Sequence, residues 1–350
     1  MMNHDEDAII DVVDLKKYFP VNMGFISSLL GRGIIYVRAV DGINLKIRRG
    51  EIFGLVGESG CGKTTTGRSI LLLEKPTSGS VFFNGVDITS LKKRGLREFR
   101  RGTQMIFQDP YSSLDPRKTA YDVISEPVNI NKAVHSESEK KGRIKNMLEV
   151  VGLTPTETFM YKYPHELSGG QRQRVAVARA LILNPQFIVA DEPVSMIDVS
   201  MRIGILNLLL DLRSKFNISF LFITHDIAIA RYMCDRIAVM YLGKIVEMGE
   251  TEDLIKNPVH PYSMALMASV PRLTSKKHDE PQIKGEVPTA INPPSGCRFH
   301  PRCPYVSERC RSEEPQLIRV GKDRLVACHL HSRNLSKKKL AMGDNRVLSH

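Results

Sequence analysis

Apolar residues in this chain fall into short unbroken runs, set between longer stretches where apolar positions recur at helical spacing. Glu51-Ile-Phe-Gly-Leu-Val-Gly57 is one such run, and it leads straight into a glycine-rich loop followed by a helical pattern over 63–73. Residues 186–190 and Ser219–Thr224 are uninterrupted and rich in β-branched or aromatic side chains, as in strands buried on both faces. Residues 80–85 end in Asn84-Gly85, a strong hairpin signal. Residues 104–107 read as another strand, stopped by Asp109-Pro110. Arg236–Tyr241 and 244–248 pair naturally across Leu242-Gly243. From about 111 to 164 the chain is helical and more polar. The first two-thirds therefore predict an α/β fold. After about 249, Pro281, Pro288, Pro293, Pro294, Pro301 and Pro304 mark an irregular C-terminal appendage. No internal repeat or heptad pattern is present.

Gly57-Glu-Ser-Gly-Cys-Gly-Lys63-Thr64 fits G-x-x-x-x-G-K-[ST] between a predicted strand and a predicted helix. Gly57, Ser59, Gly60 and Gly62 belong to a loop whose backbone N–H groups converge on phosphate, at the positive end of the next helix. Lys63 reaches the β and γ phosphates, and Thr64, with Thr65 beside it, brings a hydroxyl to Mg²⁺. The run Phe187-Ile-Val-Ala-Asp191-Glu192 ends a buried strand with two carboxylates. Such a pair taken singly is a polar exit from a sheet. Placed this far after a phosphate loop, Asp191 supports the Mg²⁺ shell and Glu192 orients and deprotonates water. Leu167-Ser168-Gly169-Gly170-Gln171 opens a helix whose N-terminus can hold an anion. In isolation Ser168 is simply a helix cap; twenty residues before Asp191, the stretch predicts ATP held between two facing cassettes.

The bulk composition changes this picture little. The chain has 350 residues, 42% hydrophobic and 25% charged, enough for a full core. No run approaches the roughly 20 apolar residues of a membrane span. The start, with Asp5, Glu6 and Asp7, lacks the pattern of a signal peptide. A cytoplasmic chain is expected, with any membrane role carried by a partner. The net charge of +12 gathers at 92–101 and 337–339; these read as a solvated face and a tail, with attraction to an anionic leaflet as the alternative. Of six cysteines, Cys61 and Cys234 stand alone, whereas Cys297, Cys303, Cys310 and Cys328 cluster, which in such a chain favours metal over disulfides.

With these residues in place, the chain resembles the nucleotide-binding subunits of ABC transporters. The resemblance implies a P-loop NTPase fold with a RecA-like core, an antiparallel β subdomain and an inserted helical subdomain over about 111–180. It implies that Gln108 senses Mg²⁺ and the γ-phosphate, that His225 contacts the γ-phosphate, and that Asp198 is the aspartate of the loop between paired sites. The stretch Ser195-Met196-Ile197-Asp198 keeps that aspartate but differs from the family's usual Ser-Ala-Leu-Asp. An aromatic stacks on adenine, Phe19 being preferred over Tyr18. Further stretches are similar to the F-type ATPase subunit of oligopeptide/dipeptide permeases: Leu15-Lys-Lys-Tyr-Phe-Pro20, Ile106-Phe-Gln-Asp-Pro-Tyr111, His260-Pro-Tyr262 and Pro293-Pro-Ser-Gly-Cys297. That likeness implies a homologous D-type ATPase partner, two transmembrane permease subunits at the cytoplasmic face of the membrane and, indirectly, an extracytoplasmic peptide-binding protein. Relatives also carry nickel, glutathione or oligosaccharides.

The cysteine spacings C-x5-C, C-x6-C and C-x17-C match neither zinc ribbons nor ferredoxin runs. The resemblance implies a [4Fe–4S] cluster on Cys297, Cys303, Cys310 and Cys328; zinc, or four reduced thiols, are the alternatives. The expected organisation is a nucleotide-binding domain at 1–250, a cysteine-bearing region at 251–335 and a basic, disordered tail at 336–350. A soluble ABC ATPase acting on nucleic acid is the rival function. The single cassette and the permease-like appendage argue against it, and no nucleic-acid partner is expected.

Overall fold

The computed structural model describes residues 7–21, 35–109, 113–268, 285–286 and 288–331. The expected tail at 336–350 lies outside them. Twelve strands are found among the described residues: β1 (Ala8–Pro20), β2 (Tyr36–Arg48), β3 (Ile52–Val56), β4 (Ser78–Phe83), β5 (Val86–Asp87), β6 (Thr103–Ile106), β7 (Phe187–Asp191), β8 (Ser219–Thr224), β9 (Arg236–Tyr241), β10 (Lys244–Glu250), β11 (Ile318–Arg319) and β12 (Leu325–Val326). The helices are α1 (Lys63–Ile70), α2 (Lys93–Gly102), α3 (Ala120–Asn131), α4 (Glu137–Val150), α5 (Thr156–Met160), α6 (Gly169–Leu181), α7 (Val199–Phe216), α8 (Ile227–Met233), α9 (Thr251–Lys256), α10 (Pro261–Ala268) and α11 (Glu308–Ser312).

Two sheets organise the molecule. An eight-stranded sheet runs β11-β12-β10-β9-β3-β8-β7-β6, parallel from β9 to β6. An antiparallel sheet runs β2-β1-β4-β5. The central strands β3, β7 and β8 are buried throughout, as their unbroken apolar runs predict. Their side chains nonetheless sort with period two. Ile52, Ile188, Phe220 and Phe222 pack into a core shared with α3, α4, α6 and α7. Phe53, Val189, Leu221 and Ile223 pack into a second core against the antiparallel sheet and α1. The α/β, P-loop architecture and the inserted helices match the expectation.

The elements in the parallel core lie within a few residues of their predicted bounds, and Asn84-Gly85 makes the expected hairpin with both residues at positive φ. The pattern did not reveal β1 and β2. Their pairing slips at Val12/Leu15 and at Lys17/Tyr18, and these bulges break the alternation that marks a strand. The C-terminal region also differs from an appendage. The β11–β12 hairpin pairs with β10 and extends the main sheet, and Phe299 is fully buried in the larger core. Arg324 is buried too, holding Glu247 at 2.5 Å and Asp253 at 2.8 Å. The packing is therefore continuous across 250–251.

Candidate active site

The phosphate loop is the hinge between β3 and α1. Gly57 has φ +153°, and a Cβ there would stand 2.2 Å from the Met240 carbonyl. Gly62 precedes α1 with φ +108°, and a Cβ there would stand 2.1 Å from the Ala39 carbonyl. Only glycine fits either place, and each lets the loop press against a neighbouring strand. Gly57, Glu58, Ser59, Gly60, Gly62, Lys63, Thr64 and Thr65 line a cavity of about 640 Å³ that also takes in Gln108, Glu192 and His225. Its far wall is Val37, Ala39, Leu266 and Ala290.

Lys63 folds into the loop and donates to the carbonyls of Gly57 at 2.8 Å and Glu58 at 2.9 Å. Thr64 Oγ1 donates to Asp191 Oδ1 at 3.0 Å. Burial pushes the Asp191 carboxyl above its usual range, the Thr64 hydrogen bond opposes this, and the Glu192 charge adds to it. Thr64 and Asp191 offer hard oxygen donors beside the loop, the set that suits Mg²⁺, with the Gln108 amide on the same cavity wall. Glu192 leaves β7 at φ +43°, a conformation costly for a non-glycine residue and kept mainly at functional sites. Its two oxygens are shared: Gln108 Nε2 donates to Oε2 at 3.2 Å, and His225 Nδ1 lies 3.0 Å from Oε1. Gln108, Glu192 and His225, spread over more than a hundred residues, thus meet at the ends of β6, β7 and β8.

Other expected residues stand elsewhere. Ser168 caps α6, taking the Gln171 N–H, while the Gln171 side chain takes the Ser168 N–H. Ser168, Gly170 and Gln171 are not brought to this chain's own cavity. Neither Tyr18 nor Phe19 lines the cavity. The Tyr18 hydroxyl is taken by Asp41. Phe19 sits across from Val37, which does line the cavity, so the two share a face. Asp198 flanks the start of α7, with Met196 and Val199 exposed beside it.

The four clustered cysteines converge. The Cys297 N–H donates to the Cys310 carbonyl at 2.8 Å. Burial pushes the Cys297 thiol up to about 12 and the Cys328 thiol to about 11, and the neighbouring sulfurs add to both. Yet no group of three or more His, Cys, Asp or Glu among the described residues is arranged to hold a metal ion. The geometry expected of a metal centre is therefore not found among the described residues. Cys61, inside the phosphate loop, is buried, and its thiol is likewise raised by burial. Leu266 and Ala290 gave no local signal in the sequence, since they reach the cavity only through the packing of the C-terminal region.

A phosphate loop between strand and helix, a second carboxylate-tipped strand and a polarising triad define a P-loop ATPase cassette. A family model for ABC transporters matches residues 40–195, and one for the C-terminal region of oligopeptide/dipeptide transporters matches 246–310. The oligopeptide transport ATP-binding protein AppF of Bacillus subtilis is 44% identical over 332 residues, 94% of this chain and 99% of that protein. The di/tripeptide transport ATP-binding protein DppF of Pseudomonas aeruginosa is 43% identical over 328 residues, 92% of this chain and 98% of that protein. A dimeric ATP-binding cassette in a post-hydrolysis state, bound to ADP and Pi, superposes with a TM-score of 0.59 at 32% identity, covering 69% of this chain and 98% of its own. The chain belongs to the ATP-binding subunits of the oligopeptide/dipeptide ABC transporter family, and it is an ATPase.

Proposed function

We propose that this chain hydrolyses ATP to drive a membrane importer of oligopeptides or dipeptides from the cytoplasmic face. The observation that carries the chemistry is Glu192, held between Gln108 and His225 at the mouth of the phosphate loop. Glu192 takes a proton from the attacking water, His225 and Gln108 fix the carboxylate, and Lys63 leaves its two carbonyls for the phosphates. Mg²⁺, held by Thr64, Asp191 and Gln108, neutralises phosphate charge when bound. Exposed Met196, Val199 and Ile203 lie beside Met201, which packs on Gly170. An apolar face next to Ser168 supports pairing with a second cassette, a homologous D-type subunit, whose ATP Ser168, Gly170 and Gln171 would then contact. The peptide cargo is supported by the named relatives, whose names make them ATP-binding proteins of peptide transport, and a pair of transmembrane permease subunits is the partner this reading requires.

The test is reconstitution of the full complex with labelled dipeptides, longer peptides and Ni²⁺. Peptide uptake that needs ATP and is lost in Lys63→Ala is expected. ATP turnover with no peptide uptake would remove the cargo assignment. We also infer that Cys297, Cys303, Cys310 and Cys328 are one ligand set that closes on a [4Fe–4S] cluster. Iron and acid-labile sulfide in anaerobically purified protein support it; zinc, or no metal, overturns it.

A further inference from the structure

The cysteine-bearing segment reaches into the frame of the phosphate loop. Arg302, next to Cys303, spreads its guanidinium over the Glu58 carboxylate, with contacts of 3.0, 3.3 and 3.4 Å. The Arg302 side chain is only 10% exposed, and it also donates to the Tyr241 hydroxyl at 3.4 Å. Glu58 is the second residue of the loop. Its backbone N–H donates to the Tyr262 hydroxyl at 3.0 Å, and its carbonyl takes the Lys63 ammonium. One loop residue is thus fixed at side chain, amide and carbonyl, and two of these three ties come from beyond residue 260.

The anchor is itself rigid. Phe299 is fully buried, with its ring 5.3 Å from Tyr241 and 5.4 Å from Tyr262. Arg298 donates to the Leu242 carbonyl at 2.8 Å and is ion-paired with Asp41. The Gly243 N–H donates to the Cys61 carbonyl at 2.9 Å, so the β9–β10 turn grips the loop from the same side. None of these groups needs to touch phosphate. They hold the loop's N–H groups in place before nucleotide arrives, and a loop ordered in advance loses less freedom on binding.

We propose that Arg302 is a positioning residue for nucleotide binding: its ion pair with Glu58 presets the phosphate loop and makes the Cys297–Cys303 segment part of the ATP site. The inference rests on the nucleotide site alone and not on the cargo. The test titrates the full-length chain with ATP and ADP and follows its ATP hydrolysis. Arg302→Ala is expected to weaken both nucleotides about tenfold, with the loss falling on KM far more than on kcat. Glu58→Gln should do the same, and the double variant should be no worse than either single one. The swapped pair Glu58→Arg with Arg302→Glu should regain most of the affinity. A kcat loss at unchanged affinity, or single effects that multiply in the double variant, would overturn the proposal. If Arg302→Ala does not fold, Arg302→Lys, which keeps the charge but loses the fork, takes its place. Its nucleotide affinity should fall between wild type and Glu58→Gln, and wild-type affinity there would equally overturn the proposal.

Discussion

The phosphate loop and the C-terminal region are built on opposite plans. The phosphate side uses consecutive residues: a strand, a glycine turn and a helix, with backbone groups making the binding surface. The C-terminal side uses residues far apart in the chain, joined by the buried charge pairs Asp41 with Arg298 and Glu247 with Arg324 and the half-buried pair Glu58 with Arg302. The first plan yields chemistry that a motif can encode. The second yields attachment, which depends on the fold having formed. A substitution on the first side should alter turnover with little effect on stability, and one on the second should do the reverse, apart from the Arg302 tie that crosses between them.

The sharpest break in that contrast is Glu192→Gln. Hydrolysis is expected to fall by about 10²- to 10⁴-fold while ATP binding and melting stay near wild type, read by single-turnover assay and nucleotide titration. Near-normal turnover would remove Glu192 as the base. On the other side, Glu247→Gln removes one of the two carboxylates that hold buried Arg324, leaving Asp253 as its charged partner. A loss of roughly 1–3 kcal/mol is expected in chemical denaturation, with ATP affinity of the folded protein within about threefold. A collapse in affinity of the same size would erase the distinction between the two plans.

A smaller effect is expected with pH. Burial pushes the His260 imidazole from 6.5 down to about 3, with His331 adding to the shift. Between those values the unfolded chain binds a proton that the folded chain refuses. This contribution is therefore complete above pH 6.5 and is lost as pH falls toward 3, by about 2 kcal/mol at pH 5. His260 Nδ1 accepts the Tyr262 N–H, a bond that an Asn oxygen can replace. Stability curves of His260→Asn should lack this slope between pH 6.5 and 5, and an unchanged slope would assign it elsewhere. The smallest expected effect separates Tyr18 from Phe19. Phe19→Ala should cost about 1–3 kcal/mol of ATP binding if its ring stacks on adenine. Tyr18→Phe, which loses only the Asp41 bond, should change melting alone.

Much of this was legible in the sequence, and the reasons differ by region. Buried strands such as Ser219–Thr224 carry unbroken apolar runs, so their bounds could be read. Lys63, Thr64, Asp191 and Glu192 were found because phosphate chemistry fixes residue types at short spacing. The strands β1 and β2 escaped because bulges break their periodicity. The two-residue strands β11 and β12 are too short to have a period at all, so a region bonded into the main sheet looked like an appendage. Sequence places the four cysteines in one region, but spacing carries no information on how their sulfurs point.

The β11–β12 hairpin has one more consequence. Without it, β10 would be the outer strand of the main sheet, seven residues long with five of them buried. A long apolar edge with unpaired N–H and C=O groups templates pairing with other chains. The hairpin replaces it with two residues, Ile318 and Arg319, beside the charged turn Lys322-Asp323. The hairpin therefore covers part of that edge, and a chain shortened before residue 318 is expected to self-associate through β10 even with its ATP site intact.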